Sequence, residues 1–206
     1  MSNDQLYSIF PIPVLLTKYP FSYEKEIEYV RTISFYEDQV SSSTISAQSK
    51  DNYILNKPEF EKVRNFIQTK LNEFSKEVFE YDEELTITQS WVNWSTKGNT
   101  HNRHSHPNSI ISGVWYLEMP EDCKASIRFH NPVVREISLK TTGVNQYNGL
   151  DFNLLPQKSN LVFFSSNLHH DVLKNESDGD RISIAFNSWP KESFGNKQYL
   201  TSTSTS

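Results

Sequence analysis

Three of the chain's six histidines lie in the stretch HNRHSHPNS, residues 101–109: His101, His104 and His106. Neutral imidazole is the commonest protein ligand of transition metals, so this cluster is a candidate metal site; a surface loop or a hydrogen-bonded core histidine is the competing interpretation. On an extended strand, residues i and i+2 point to the same side, so His104 and His106 face together while His101 points away. The pair needs a third ligand, and the doublet His169–His170 offers one later in the chain.

A second feature predicts an anion-binding wall. Arg181 opens the segment RISIAFNSW, whose residues alternate in character. As a strand, this segment presents one face with Arg181, Ser183, Ala185 and Asn187, and an opposite face with Ile182, Ile184 and Phe186. The apolar face can pack against helices, whereas a small polar face led by arginine is typical of a pocket wall. Because arginine grips a carboxylate through two parallel hydrogen bonds, we expect an anionic ligand there; an exposed strand-end arginine is the competing interpretation.

The first half of the chain carries the helical patterns. Residues 22–33 have apolar positions at helical spacing, and residues 58–81 continue that spacing over a longer stretch that begins with a proline. Residues 6–18 are extended but hold two prolines, which favours a sheet edge or a loop. The polar residues 41–52 predict a loop.

The second half changes period. After residue 84, short alternating or β-branched segments are bounded by Gly, Pro, Asn and Asp, which predicts the strands of a sandwich or barrel. The helices of the first half are then expected to cover one face of a sheet.

Composition excludes some classes of function. Lys and Arg number 20 against 25 Asp and Glu, so the net charge of −5 argues against nucleic acid as a partner. The apolar run IFPIPVLL is too short to span a membrane, and the start MSNDQ lacks a signal-peptide pattern. With a single cysteine, Cys123, the sequence favours a reducing cytoplasm.

The order of these motifs resembles the iron(II)/2-oxoglutarate-dependent dioxygenases. The segments SWVNW, GNTHNRHSHPNSIISGVWYLEMP, LVFFSSNLHHDVLKN and RISIAFN follow one another between about residues 87 and 190. They look most similar to a branch of that superfamily found in marine bacteria and their phages, which would place the protein in the cytoplasm of a bacterium or of a phage-infected host cell. The resemblance is specific because several separated motifs keep their order.

The resemblance implies a fold that is mainly β with N-terminal helices, in which a double-stranded β-helix (jelly-roll) core has helices packed on one sheet. It implies one dioxygenase domain over residues 1–193, with helical support from 20 to 82 and a jelly-roll core from 84 to 190. Residues 194–206 are expected to form a flexible polar tail. The implied cofactors are Fe(II), 2-oxoglutarate as cosubstrate, and O2.

The family's site residues carry over by position. His104 matches the first iron ligand, His170 the second, and Arg181 the arginine that holds the distal carboxylate of 2-oxoglutarate. Tyr116 matches a tyrosine that assists the same carboxylate in the prolyl-hydroxylase relatives. Ser112 shares the strand face of Tyr116, so we expect it to line the same pocket. We expect Asn187 to line it too, because it lies on the polar face that begins with Arg181.

The sequence departs from the family at the third iron ligand. The usual motif is His-x-Asp, and His106 stands in the Asp slot; the aspartate and asparagine β-hydroxylases, with His-Thr-Gly-Pro, also lack a carboxylate there. Either His106 completes a three-histidine site or water fills the slot beside it. A second register, with His106 as first ligand and Asn108 as a weak amide ligand, stays open. Asp171 points away from His170 on a strand, and His101 and His169 are left as supporting or entrance residues.

Two other functions compete with the oxygenase. A cupin-type metal enzyme would use the same fold without 2-oxoglutarate, but the glutamate that usually follows His-x-His is replaced by Ser109, Ile110 and Ile111. A non-enzymatic jelly-roll binding module would leave the order of ligand-type residues unexplained. The primary substrate is unknown; a protein or peptide side chain is one candidate, and residues 41–52 and 131–158 are the candidate contact regions.

Overall fold

Antiparallel strands dominate this structure, a computed structural model that describes residues 5–36, 45–133, 137 and 139–204. Within these residues the strands are β1 (Val14–Lys18), β2 (Ala47–Gln48), β3 (Leu85–Ser95), β4 (His101–His104), β5 (Ile111–Glu118), β6 (Ile127–His130), β7 (Asp151–Leu154), β8 (Asn160–Ser165), β9 (His170–Val172) and β10 (Arg181–Pro190). The helices are α1 (Glu24–Val30) and α2 (Glu61–Val78), and α2 is preceded by the 3-10 turns Ile54–Asn56 and Pro58–Phe60.

The strands form two antiparallel sheets. The major sheet has the order β1-β8-β5-β10-β3-β2, and the minor sheet has the order β4-β9-β6-β7. Most neighbouring strands are not consecutive in the chain, as in the predicted jelly roll, and among the described strands only β2–β3 and β6–β7 are consecutive pairs. Residues 84–190 do not supply the whole sheet, because β1 and β2 come from earlier in the chain and form the two edges of the major sheet.

Two apolar cores explain this layering. On the outer face of the major sheet, Ile182, Ile184 and Phe186 of β10 are buried together with one face of α2. That helix face consists of Val63, Ile67, Leu71 and Phe74, whose spacing of three to four residues forms a continuous stripe. The helices therefore pack on one sheet, as predicted.

The second core lies between the sheets. Val162 and Phe164 of β8 point inward and pack with Ile127 and Phe129 of β6 and with Leu168. Because β8 alternates, Leu161 and Phe163 belong to the helix-side core instead. The inner faces of both sheets thus meet over a short apolar core, and the remainder of the space between them is left for the site described below.

The structure corrects the loop predicted for residues 41–52. Residues 41–44 lie outside the described residues, but Ala47 and Gln48 pair with β3, and Ile45 bridges to Thr100 just before β4. This short segment therefore links the edge of the major sheet to the minor sheet. The polar pattern hid it, because an edge strand of two residues has almost no periodicity to detect.

The chain ending carries one local pairing. Phe194 and Thr203 form an antiparallel bridge, and the ring of Phe194 lies against Trp189 with 5.3 Å between ring centroids. The flexibility predicted for residues 194–206 stays a prediction. No helix within the described residues is long and apolar enough to cross a membrane.

Candidate metal centre

Three histidines meet at one end of the space between the sheets. One ring nitrogen from each of His104, His106 and His170 lies within 4.8 Å of the others, and the Nε2 atoms of His106 and His170 are 3.4 Å apart. Two nitrogens bound to one ion at about 2.1 Å each lie at most about 4.2 Å apart. The three rings therefore stand close to the spacing that a shared metal ion requires.

His104 and His170 are positioned by the minor sheet. They are directly opposite each other in the β4–β9 ladder. His104 donates from Nδ1 to the Asn102 carbonyl at 2.7 Å, and His170 donates from Nδ1 to the Leu168 carbonyl at 2.9 Å. Each bond fixes the tautomer in which Nε2 keeps its lone pair, which is the usual way a protein prepares a histidine ligand.

His106 reaches the cluster in a different way. It follows the end of β4, where its backbone N–H donates to the Ser166 carbonyl at 2.8 Å. Its ring is almost parallel to that of His170, with centroids 5.2 Å apart, and lies 5.7 Å from the ring of Trp91. Asn108, the ligand of the second register, is exposed in the following turn and does not line the cavity.

His101 differs from the expectation that it points away. Residues 101 and 104 of β4 oppose residues 172 and 170 of β9, so β4 holds one residue more than its partner over this interval. This bulge changes the phase of the strand. His101 therefore lines the same cavity, with its ring centroid 4.7 Å from that of His104.

Asp171 is turned away from the cluster, as the strand alternation predicts. Its carboxylate accepts hydrogen bonds from Arg128 Nη2 at 2.7 Å and Nε at 3.0 Å, and lies 2.9 Å from His130 Nε2. Burial raises its pKa, but the hydrogen bonds and positive charges of these two partners outweigh burial and hold the pKa below its usual value. Asp171 therefore makes its interactions on the outer side of β9 and does not face the histidine cluster.

Burial keeps three of the histidines that line the cavity neutral. It lowers the pKa of His106 to about 4, helped by the charges that His104 and His101 would carry. It also lowers the pKa of His170 to about 3, although the hydrogen bond to Leu168 opposes this shift. The pKa of His101 falls to about 4 through burial, with smaller effects of His104 and Arg181. Neutral imidazoles have the lone pairs that a metal ion needs.

Arg181 and Tyr116 lie on the major sheet and line the same cavity. Arg181 is 2% exposed, and its guanidinium carbon lies 5.0 Å from the centroid of the Tyr116 ring. Arg181 Nε and the Tyr116 hydroxyl are buried without a hydrogen-bond partner among the described residues. Burial raises the pKa of Tyr116, opposed by the charge and the hydrogen-bonding capacity of the neighbouring Arg181, so the phenol stays protonated and can donate. Two orphaned donors beside a buried positive charge indicate an anion site.

Ser112 and Asn187 are not part of this cavity lining. They occupy the predicted faces of β5 and β10 but lie at the far end, where Ser112 Oγ donates to Asn187 Oδ1 at 2.9 Å. Ser112 Oγ also lies 2.7 Å from Ser166 Oγ. The carbonyl of Ser166 in turn accepts the hydrogen bond from the backbone N–H of His106. The structure therefore places both residues in a hydroxyl network beneath the His106 turn.

Several other residues of the major-sheet wall were not predicted from the sequence. The cavity is also lined by Trp91 and Asn93 of β3 and by Ser46, which precedes β2. Trp91 and Asn93 stand two residues apart in SWVNW and so share a strand face, a signal that could have identified them. Of the two regions expected to contact substrate, the 41–52 segment contributes Ser46, and no described residue of 131–158 lines the cavity.

One family model matches the part of the chain that holds this site. Residues 89–187 match the family model described as "Putative 2OG-Fe(II) oxygenase". That stretch contains all three clustered histidines, Arg181 and Tyr116. A search of curated protein sequences finds no significant match.

Solved structures agree in fold. A 2OG-Fe(II) oxygenase family oxidoreductase from Burkholderia pseudomallei is 12% identical with a TM-score of 0.59, over 85% of this chain and 83% of its own. A prolyl-4-hydroxylase from Pseudomonas putida is 11% identical with a TM-score of 0.59, over 87% and 94%. HygX from Streptomyces hygroscopicus, with nickel and 2-oxoglutarate bound, is 11% identical with a TM-score of 0.59, over 87% and 84%. These likenesses confirm the predicted mainly β, jelly-roll fold.

Proposed function

We propose that the protein is an iron(II)- and 2-oxoglutarate-dependent oxygenase that hydroxylates its substrate and releases succinate and CO2. The observation that carries the proposal is the pairing of two half-sites in one cavity. Three histidine nitrogens stand within 4.8 Å of one another on one side, and the buried Arg181 and Tyr116 present unpaired donors on the other. A cosubstrate that binds metal at one end and carries a carboxylate at the other fits this pairing.

The three histidines are proposed to hold the iron. Imidazole nitrogen suits ferrous iron, and the Nδ1 hydrogen bonds of His104 and His170 fix both rings in the ligand tautomer. When bound with 2-oxoglutarate, the iron supplies the O2 activation and oxidative decarboxylation that hydroxylate an unreactive C–H bond.

Arg181 and Tyr116 are proposed to bind the distal carboxylate of 2-oxoglutarate. Arg181 supplies a charged planar fork, and the neutral Tyr116 supplies a hydroxyl donor. Both side chains are buried, so water competes poorly for the carboxylate and the charge pair is stronger than it would be at the surface. These residues therefore orient the cosubstrate toward the histidine cluster and exclude solvent from its distal end.

The two competing functions explain less of the site. A cupin-type enzyme that does not use 2-oxoglutarate gives no reason for a buried, unpaired Arg181 Nε in the metal cavity. A binding module without metal gives no reason for three histidine nitrogens within 4.8 Å of one another. A protein or peptide side chain as substrate, a cytoplasmic location and membership of the branch in marine bacteria and their phages remain predictions.

Anaerobic addition of Fe(II) and then 2-oxoglutarate to the purified full-length chain tests the proposal. A weak visible charge-transfer band that requires both additions is expected, because it reports 2-oxoglutarate bound directly to iron. Succinate formation on admission of O2 would follow as a second readout. If the chain binds iron at one equivalent but gives no band with 2-oxoglutarate, the cupin-type alternative replaces the proposal; if it binds no iron, the binding module does.

A further inference from the structure

The cavity lacks negative charge. Its described lining holds His101, His104, His106, His170 and Arg181 but no aspartate or glutamate. The hydrogen-bond partners behind the ligands are equally neutral, because His104 and His170 both donate to backbone carbonyls. The adjacent carboxylate, that of Asp171, faces the other way and is paired with Arg128.

This inventory leaves a charge unbalanced. A divalent ion and Arg181 bring three positive charges, and 2-oxoglutarate brings two negative ones, so one positive unit remains when the histidines are neutral. With a carboxylate in the position of His106, the sum would be zero. An uncompensated charge in a buried site is costly, so the filled cavity should favour a partner of negative charge.

We propose that the primary substrate is an anion that carries a carboxylate near the carbon it presents to the metal. This inference rests on the proposed function and names the substrate class of the same site. His106 is the origin of the preference, because a neutral ligand stands where a charged one would complete the balance. Acidic metabolites and acidic side chains of a protein share this chemistry.

The wall formed by β3 offers a place for the carboxylate. Asn93 is 9% exposed, lines the cavity and lies opposite Ser183 of β10, which lines it too. Gln48 Nε2 donates to Asn93 Oδ1 at 3.4 Å. The Nδ2 group of Asn93 is therefore the part of this side chain that can donate a hydrogen bond to a ligand. Neutral donors such as this amide and the Ser183 hydroxyl can bind an oxyanion without adding a carboxylate of their own.

The test measures probe binding rather than turnover. The full-length chain is loaded with cobalt(II) and saturated with 2-oxoglutarate in chloride-free buffer without O2. Butyrate, butyramide and butylammonium, three probes of similar size and different charge, are then titrated while paramagnetic relaxation of their protons reports approach to the metal. We expect butyrate to bind at least about ten-fold more tightly than butyramide, and butylammonium to show no relaxation above that of the metal-free protein.

Two variants locate the source of the preference. His106→Asp should keep metal and 2-oxoglutarate yet reduce the butyrate preference to about two-fold or less, because the added carboxylate completes the charge balance. Asn93→Asp should have a similar effect from the β3 wall. Gln198→Glu, which adds the same charge at an exposed position in the terminal turn, should change nothing.

The outcomes separate the two proposals. Failure of cobalt or 2-oxoglutarate to bind in the first step would count against the proposed function itself. Binding of both with equal affinity for butyrate and butyramide would overturn the anionic substrate alone. A preference that survives unchanged in His106→Asp and in Asn93→Asp, with normal melting curves for both, would also overturn it.

Discussion

The Nε2 atoms of His106 and His170 lie 3.4 Å apart, although the two residues are 64 positions apart in sequence. This distance suits an N–H donated from the His106 ring to the lone pair on His170 Nε2, and it also suits two ligands of one metal ion. His170 is fixed through its Nδ1, whereas His106 is held through its backbone N–H by Ser166. The three-histidine arrangement is therefore a property of the fold and not only of the HSH motif.

His106→Asp should keep or increase iron affinity, because a carboxylate at this position neutralises one unit of the metal's charge. His106→Ala should weaken binding by about ten-fold or more without abolishing it, since two fixed ligands remain. Iron affinity measured by competition with a chelator decides the matter. Collapse of binding in His106→Asp with retention in His104→Ala would instead support the register that uses Asn108.

His104→Ala and His170→Ala should each abolish stoichiometric iron binding and leave the fold intact. Each change removes a ligand whose tautomer is already fixed, and each ligand lies on a different strand of the minor sheet. His169→Ala is the matched control, because this neighbouring histidine is exposed. The His169→Ala variant should still bind a full equivalent of iron. Metal analysis of the three purified variants makes the comparison, and full occupancy in either ligand variant contradicts the assignment.

Arg181→Ala should leave iron bound but weaken 2-oxoglutarate by about 2–4 kcal/mol, since a buried carboxylate loses its charged partner. Lysine should restore only part of the loss because it lacks the planar fork. Tyr116→Phe should cost about 1 kcal/mol, the contribution of one neutral donor. Calorimetry under anaerobic conditions gives all three affinities. Unchanged affinity in Arg181→Ala would place the cosubstrate elsewhere.

Ser112→Ala distinguishes the sequence expectation from the structure. If Ser112 contacts 2-oxoglutarate, the variant should bind the cosubstrate more weakly. From its hydrogen bonds to Asn187 and Ser166, we expect instead a loss of about 1–2 kcal/mol in the free energy of unfolding and an unchanged 2-oxoglutarate affinity. Chemical denaturation and calorimetry on the same preparation separate these results.

Asp171→Asn should lower the free energy of unfolding by about 1–2 kcal/mol at pH 7, because the bidentate bond from a partly exposed Arg128 is lost. The pKa of Asp171 is lowered in the fold, so its contribution is present above the unfolded value near 3.8 and disappears as pH falls through the folded value. The gap between variant and parent should therefore close on acidification below about pH 4. Asp178→Asn, which breaks an exposed pair with Lys97, should show no measurable change at either pH.

Alternation along strands predicted much of the site. The inward face of β10 and the outward turn of Asp171 both follow from a period of two, as does the shared face of Ser112 and Tyr116. The family motifs then supplied the partners that lie far away in sequence. Strand alternation predicts which face a side chain points to, but it does not predict how far along that face the cavity extends. Ser112 and Asn187 were therefore expected to line the cavity, although the cavity ends before it reaches them.

Irregular backbone accounts for the other differences. The bulge in β4 turns His101 inward, and no residue of HNRH marks it, because a bulge is set by pairing with β9 rather than by local sequence. The short strand β2 likewise exists only through its pairing with β3. Ser46, which precedes that pairing, could not be assigned to the cavity without the partner strand.

The two halves of the site belong to different sheets. His104 and His170 are on the minor sheet, whereas Arg181 and Tyr116 are on the major sheet. A small molecule that touches both halves would act as a tie across the sandwich, because separating the sheets would then require its release. Its binding free energy would be added to the work of unfolding, so the melting temperature should rise more with metal and cosubstrate together than with metal alone. Ligands that bind in this cavity would therefore stabilise the packing of the two sheets against each other.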